Sequence, residues 1–281
     1  MKRLTFISFM VCLVFQGCKI SDVRPEHSAA LSKNEDKLKS ICSKVETTYG
    51  GYEKWKKTGA VTVRGYDEWP TFHWRLIANP WKDKKTSFSF TWAPNTDNSR
   101  ITLLDGKKTG MQYGLQYWAT YQKKKDKIVF KRNKKMWFHL PTIEYFLEFP
   151  FRIREAEIVR YAGTRKVNNL AYEMLFFTWK SEEPNKAMDQ YLVYVNPETY
   201  RIDYLELTVR DQAKWAYATV TYGHFVRKNG FLFPGDIRFF FQNKLPGKTL
   251  GHHISLSEIQ VHQRFDRNTL IPDSTMRRSK F

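Results

Sequence analysis

Short runs rich in Val, Ile, Thr, Phe, Tyr and Trp follow one another from Ala60 to His262, each bounded by Gly, Pro, Asn or Asp. Such runs are typical of β-strands joined by tight turns. Asp105-Gly106 and Asn229-Gly230 have hairpin-turn composition, as does Asn196-Pro197-Glu198-Thr199. We therefore predict an antiparallel meander with strands at 60–68, 71–78, 85–93, 99–105, 111–121, 127–132, 157–162, 170–180, 189–196, 201–210, 214–226, 231–242 and 252–262.

Two helices are predicted beside these strands. Ser32 and Glu35 have capping-box spacing, and the helix that they begin stops at Gly50-Gly51. Its apolar face carries Leu38, Ile41, Cys42, Val45 and Tyr49, where Cys42 is expected to be a buried, inert thiol. The second helix covers 140–149, with Pro141 in its first turn, and is apolar on nearly every side, so it must be covered by other parts of the protein.

Aromatic side chains make up 16% of the chain and alternate along several predicted strands. Period-two spacing directs them to one face of the sheet. That face is either a filled core or the wall of an apolar cavity, because a curved sheet of about eleven strands encloses more space than one or two helices fill. The predicted lining is Phe72, Trp74, Phe88, Phe90, Trp92, Tyr113, Leu115, Tyr117, Tyr145, Phe146, Phe149, Tyr191, Val193, Phe239 and Phe241.

The amino terminus has the pattern of an export signal. Lys2 and Arg3 precede an apolar run that ends before Gly17-Cys18, and this run is shorter than the roughly twenty residues of a membrane span. Residues 1–17 resemble a bacterial lipoprotein signal peptide, which implies that Cys18 receives acyl chains. Ordinary signal cleavage and an uncleaved anchor are the alternatives. Residues 18–31 read as the lipidated cysteine and a flexible tether of roughly 20 Å reach, and 32–281 as a single domain.

The net charge indicates which classes of molecule the protein can bind, and the cysteine content indicates whether it can form a disulfide. The formal net charge of +19 becomes 45 minus 28, or +17, without residues 1–17. A basic exported protein favours anionic lipid head groups or acidic glycans, and no nucleic-acid-binding motif occurs. With Cys12 in the signal and Cys18 acylated, Cys42 has no partner for an intramolecular disulfide.

Lysines cluster at predicted strand ends. If these ends share one rim of a half-barrel, they form a cationic collar for anionic head groups; ordinary solvated turns are the alternative. The predicted rim residues are Lys84, Lys85, Lys107, Lys108, Lys124, Lys125, Lys134 and Lys135.

Catalytic and metal-binding patterns are sparse. His252 and His253 are adjacent on a strand and point to opposite faces, so they cannot readily share a metal ion. Glu144 and Glu148 are one helical turn apart and are interpreted as surface charges. His139 is interpreted as an isolated structural histidine. No catalytic residue, metal site or cofactor is predicted.

The order of these elements resembles the LolA/LolB-like lipoprotein carriers. The similar segments are Tyr49-Gly50-Gly51 with Trp55, residues 145–151, and the strand–turn–strand unit 191–202. The resemblance implies a mainly β (α+β) protein, in which a strongly curved antiparallel sheet forms an incomplete barrel. It also implies that an N-terminal helix and a short apolar helix cover the concave face, which holds acyl chains without catalysis or a cofactor.

We therefore expect an exported, membrane-anchored, monomeric lipoprotein, placed at the outer membrane, that binds acyl chains, an amphiphilic lipid or another lipoprotein. The alternative is a cell-surface module that binds an acidic glycan or a partner protein through the basic rim. A hydrolase of the cell envelope is a third reading.

Overall fold

A single large antiparallel sheet dominates the structure, a computed structural model that describes residues 20–25, 34–241, 245 and 247–275. Within these ranges, thirteen strands pair in the order β6-β5-β4-β3-β2-β1-β15-β14-β11-β10-β9-β8-β7, and β12 pairs with β13 separately. The strands are β1 (Ala60–Glu68), β2 (Lys85–Trp92), β3 (Asn98–Leu103), β4 (Gln112–Gln116), β5 (Ala119–Lys124), β6 (Lys127–Phe130), β7 (Ile158–Val167), β8 (Leu170–Thr178), β9 (Tyr191–Val195), β10 (Ile202–Thr208), β11 (Tyr217–Gly223), β12 (Val226–Lys228), β13 (Phe231–Phe233), β14 (Asp236–Phe241) and β15 (Leu250–His262).

The sheet is open, because the edge strands β6 and β7 are not paired with each other. Its inner face, the face that carries Phe88, Phe90 and Trp92, packs against helices in one large apolar core. These helices include α1 (Glu35–Tyr49), α2 (Tyr52–Lys56) and α4 (Lys134–Arg152), while α3 (Phe72–Ile77) lies elsewhere; short 3-10 turns occupy Ile153–Glu155 and Arg267–Leu270. The predicted mainly β fold with an incomplete, helix-covered barrel is confirmed.

Helix α1 begins and ends at well-defined caps. The Asn34 side chain accepts a hydrogen bond from the Lys37 amide, so Asn34 is the cap; the predicted cap Ser32 lies outside the described residues. Gly50 has φ of 108° at the other end, and a Cβ there would lie 2.5 Å from the Gly230 carbonyl oxygen. Cys42 is partly buried, and burial raises the pKa of its thiol to about 11, as expected of an inert cysteine.

Helix α4 is longer than predicted. It starts six residues earlier, where the Asn133 side chain caps the amide of Met136, and both Pro141 and Pro150 lie inside it. The polar start of the helix hid this extension from the sequence pattern, although Met136 and His139 are buried. Burial against the sheet therefore outweighs the helix-breaking tendency of the prolines.

The predicted strand at 71–78 is wrong, because these residues contain α3. Glu68 of β1 pairs directly with Lys85 of β2, which leaves no place in the sheet for a strand between them. Phe72 and Leu76 are 64% and 65% exposed. Phe72 therefore lies outside the inner face, and so does Trp74, which is half-buried and packs edge-on against Phe241 at 4.7 Å.

The predicted strand at 111–121 is two strands, β4 and β5. Gln116 pairs with Ala119, so Tyr117 and Trp118 form a two-residue turn with φ of 46° and 69°. Such a turn normally contains Asn or Gly, so these aromatic residues gave no turn signal. Tyr117 is consequently not part of the inner face, contrary to the prediction.

The described part of the predicted tether, residues 20–25, lies against the domain. Ser21 donates its amide hydrogen to the Lys214 carbonyl at 3.0 Å, and the Val23 amide donates to the Gln190 side chain at 3.2 Å. Val23 is buried in a small apolar cluster on the outer face of β8 and β9. This segment is therefore packed structure and differs from the free tether expected from sequence.

Replacing Phe72 with alanine is expected to change the free energy of unfolding by no more than about 0.5 kcal/mol, because its ring is mostly in solvent. The same change at a fully buried position, Phe88→Ala, is expected to cost about 3–5 kcal/mol. Urea denaturation of both variants measures the difference. A larger loss for Phe72→Ala would contradict the placement of α3.

Candidate functional site

Most of the predicted cavity-lining residues come together on the inner face or on α4 facing it. The ten that are buried in the main core are Phe88, Phe90, Trp92, Tyr113, Leu115, Phe146, Phe149, Tyr191, Val193 and Phe239. Tyr145 and Phe241 are half-buried at its margin, while Phe72, Trp74 and Tyr117 lie outside it. The aromatic surface predicted from period-two spacing therefore exists, with three residues removed from it.

Side chains of α4 fill the space beside this surface. Phe149 lies 5.8 Å from the rings of both Phe177 and Tyr191, and Phe146 packs edge-on against Phe239 at 4.9 Å. Surface clefts flank the helix at its two ends. One, of about 190 Å³, lies at its first turn between Trp118, Phe130 and Trp137; the other, of about 320 Å³, lies at its last turn beside Cys42 of α1.

Two carboxylates of α4 are buried in this apolar contact. Glu144 and Glu148 are 4% and 0% exposed, so the interpretation as surface charges is wrong. Arg152 lies one turn further along and approaches Glu148 at 2.8 Å and Glu144 at 3.5 Å. The indole Nε1 of Trp92 donates a hydrogen bond to Glu148 Oε1 at 2.7 Å. Glu144, Glu148 and Arg152 therefore form a buried pair of carboxylates with one shared cation.

Glu144 is the weakly satisfied member of this group. Within the described residues, its Oε1 accepts no hydrogen bond and has only the 3.5 Å ion pair with Arg152. Burial, and next the charge of Glu148, raise the pKa of Glu144 well above its usual range, and burial also raises the pKa of Glu148. Burying a poorly compensated carboxylate opposes the packing of α4 on the sheet, because ionised groups are much better solvated by water.

A second polar cluster lies deeper under α4. Asp67 is fully buried and accepts hydrogen bonds from Trp81 Nε1 at 2.7 Å, and from His139 Nε2 and His252 Nε2 at 2.8 Å each. The interpretation of His139 as an isolated histidine is therefore wrong. His252 and His253 do point to opposite faces, since His253 pairs with Asp236.

Electrostatics hold this cluster together. Burial by itself would raise the pKa of Asp67, but His252 and His139 outweigh burial and keep that pKa below its usual range. Burial lowers the pKa of His252, although the Asp67 carboxylate opposes the effect. Asp67 therefore stays ionised. Sequence reasoning missed Asp67 and Trp81, since neither belongs to a local motif.

Strand directions place six of the eight predicted rim lysines at one edge. The pairings Glu68 with Lys85, Phe88 with Leu103, and Lys124 with Lys127 bring the connections β1–β2, β3–β4 and β5–β6 to the same edge of the sheet. The lysines concerned are Lys84, Lys85, Lys107, Lys108, Lys124 and Lys125. Lys134 and Lys135 start α4, and Lys135 Nζ donates to the Asn79 carbonyl, in the connection leading to that edge, at 2.9 Å.

No protein-family model and no curated protein matches the chain by sequence. Solved structures match it by fold. A Vibrio parahaemolyticus domain described as an outer-membrane lipoprotein-sorting protein domain has a TM-score of 0.51 at 9% identity, over 82% of this chain and 94% of that chain. A LolA superfamily protein from Nitrosomonas europaea has a TM-score of 0.50 at 11% identity, over 83% and 96%.

A DUF1329 family protein from Desulfovibrio piger also matches, with a TM-score of 0.54 at 9% identity, over 83% of this chain and 96% of that chain. These matches confirm the predicted resemblance to the LolA superfamily at the level of fold. Among the described residues, no helix combines the length and the apolar composition that a membrane span requires.

Proposed function

We propose that this protein binds acyl chains, carried by a lipid or by another lipoprotein, on the inner face of its sheet, without catalysis. The observation that carries the proposal is the pairing of a continuous aromatic surface with a helix that buries two carboxylates against it. Ten predicted cavity residues line this contact, and α4 brings Glu144 and Glu148 into it with Arg152 as their shared cation.

In this proposal α4 occupies the binding space when no ligand is present, and an acyl chain replaces it. The exchange keeps the inner face covered by apolar groups, so the hydrophobic free energy of that face is retained. The apolar side chains of α4 must in turn be covered by the ligand or by a membrane surface. It also returns Glu144 and Glu148 to water, which favours displacement of the helix.

The cleft at the first turn of α4 is a suitable place for an acyl chain to enter. Its wall contains Trp118 and Trp137, whose rings are exposed and lie 5.5 Å apart, and its border contains Lys131 and Arg132. Exposed tryptophans next to cations suit the boundary between acyl chains and anionic head groups.

Replacing Glu144 with leucine separates this mechanism from simple surface binding. We expect the free energy of unfolding of this variant to be about 1–4 kcal/mol higher than that of the wild type, because replacing a buried charge with an apolar group of similar volume is often stabilising. Because ligand must displace the stabilised helix, its affinity is expected to fall about ten-fold for each 1.4 kcal/mol gained. Titration with a fluorescent fatty acid measures the affinity.

Glu155→Leu is the matched control, because Glu155 also pairs with Arg152 but has a half-exposed side chain. It is expected to leave affinity unchanged. A stabilised Glu144→Leu variant that binds fatty acid as tightly as wild type would show that α4 is not displaced.

Organic extraction of protein purified from membranes, followed by mass spectrometry, tests lipid binding directly. We expect co-purified acyl lipid at close to a stoichiometric amount. Absence of extractable lipid, together with no saturable fatty-acid binding by the delipidated protein, would overturn the proposed function.

We further propose that residues 1–17 are an export signal, that Cys18 carries the lipid anchor and that the protein resides at the outer membrane as a monomer. Residues 1–19 lie outside the described part of the chain. Mass spectrometry of the mature amino terminus measures acylation, and a free amine at Cys18 with no acyl chain would contradict it.

The lysines at the connections β1–β2, β3–β4 and β5–β6 favour a second candidate function, which is binding of an acidic glycan or a partner protein. Six lysines share one edge of the sheet by strand register, as described above. That mode predicts binding that weakens with salt and is unaffected by Leu115→Trp, which overfills the core. Binding that is lost in Leu115→Trp would favour the acyl-chain site instead.

A further inference from the structure

Asp67, His139 and His252 converge from three separate elements. Asp67 lies near the end of β1, His139 in the second turn of α4 and His252 near the start of β15. Their potential ligand atoms all lie within 4.8 Å of one another, and all three side chains are buried. Each of these atoms faces the same small volume, because both imidazole Nε2 atoms contact the one carboxylate.

This set of atoms matches the ligands of divalent transition metals. Two imidazole nitrogens and one carboxylate oxygen are common ligands of Zn²⁺, at about 2.0–2.2 Å from the ion. Two ligands at that distance in tetrahedral geometry lie about 3.4 Å apart. To admit an ion, the His–Asp contacts of 2.8 Å must lengthen towards this value, and the three ligand atoms, which lie within 4.8 Å of one another, must arrange around it.

The surroundings hold these side chains in place. Trp81 Nε1 donates to Asp67 Oδ2, which fixes the orientation of the carboxylate. The His252 ring is stacked between Trp69, at 4.1 Å, and Phe239, at 4.9 Å. Groups that orient metal ligands in this way contribute strongly to affinity.

We propose that Asp67, His139 and His252 form a site for a divalent transition metal ion of the zinc class. The protein supplies three ligands, which leaves a fourth position for water or a small anion. Binding requires each histidine to hold its proton on Nδ1, which frees Nε2 as a ligand, and an imidazolium releases its second proton to solvent. One ion thereby replaces the two hydrogen bonds that now join the histidines to Asp67. This inference does not rest on the proposed lipid function. Because His139 lies on α4, a bound ion would hold that helix on the sheet and oppose its displacement by an acyl chain.

A nearby histidine supplies a matched control. His253 is the next residue to His252 and pairs with Asp236 at 3.0 Å on the opposite face of β15. It has the same chemistry and similar sequence context, but it does not face the cluster. A variant His253→Gln therefore tests whether any histidine of this strand suffices.

Titration of chelator-treated, full-length protein with Co²⁺ and Zn²⁺ tests the proposal. We expect one ion per chain and the visible absorption bands of low-symmetry, four- or five-coordinate Co²⁺. His139→Gln and His252→Gln are expected to weaken binding by at least about ten-fold, and His253→Gln to leave it unchanged. Circular dichroism identifies any variant that does not fold.

X-ray absorption spectroscopy of zinc-loaded wild-type protein does not depend on the variants. We expect two imidazole ligands, oxygen in the remaining positions and no sulfur. The proposal is overturned if the wild-type protein binds no ion stoichiometrically, if the spectrum shows sulfur or any other imidazole number, or if the double variant His139→Gln/His252→Gln folds and binds as tightly as wild type. In those cases the cluster is a hydrogen-bond network alone.

Discussion

Asp67→Ala is expected to lower the free energy of unfolding by about 3–5 kcal/mol when metal is removed by chelator. The carboxylate accepts three hydrogen bonds at 2.7–2.8 Å, and no other acceptor of these bonds is present in the described cluster. Its removal leaves the N–H groups of Trp81, His139 and His252 buried without partners, and each such group costs about 1–3 kcal/mol. Urea denaturation monitored by circular dichroism measures the loss.

Asp236→Ala is the control for this prediction. Asp236 also pairs with histidine, but its other partners, Arg238 and His224, have exposed side chains that water can solvate. We expect a loss of about 1 kcal/mol. If Asp67→Ala costs no more than this, the cluster under α4 does not stabilise the fold.

Arg152→Met is expected to destabilise the protein by about 3–5 kcal/mol at about pH 8, because it leaves Glu144 and Glu148 buried without their cation. Arg154→Met is the control, since Arg154 is half-exposed and lies 3.7 Å from Glu46 in a surface pair. That variant is expected to lose less than about 1 kcal/mol.

The loss in Arg152→Met is expected to shrink as pH falls towards about 5. Burial raises the pKa of both glutamates above the ordinary value of a glutamate side chain, so the folded state retains protons that the unfolded state releases. Stability therefore falls as pH rises from the unfolded pKa through the folded pKa, and is insensitive to these groups below both. Equal losses at the two pH values would contradict burial of ionisable carboxylates.

Local pattern predicted much of the sheet because alternation, as in Phe88, Phe90 and Trp92, directly reports a buried face. The same alternation in Phe72, Trp74 and Leu76 misled, because strand pairing between β1 and β2 excludes that segment from the sheet. Only the pairing register of β1 with β2 contains this information. A six-residue helix has too few turns to show its own period.

The buried polar groups were harder to predict. The helix that carries Glu144, Glu148 and Arg152 is apolar on nearly every side, and these three residues are spaced four apart along it. Because such a helix has no face for solvent, its sequence already indicated that these charges are buried. Asp67, His139 and His252 offered no such signal. His139 is 72 residues and His252 185 residues from Asp67, and only the folded sheet brings them together.

With Cys18 acylated as proposed, the docked segment 20–25 limits how far the domain stands from a bilayer. Ile20 is two residues from Cys18, and two extended residues span at most about 7 Å. With an acylated Cys18, the outer face of β8 and β9, where Val23 is buried, is held next to the head groups. This point of the protein then stands within about 7 Å of its anchor, in place of the roughly 20 Å reach of a free tether.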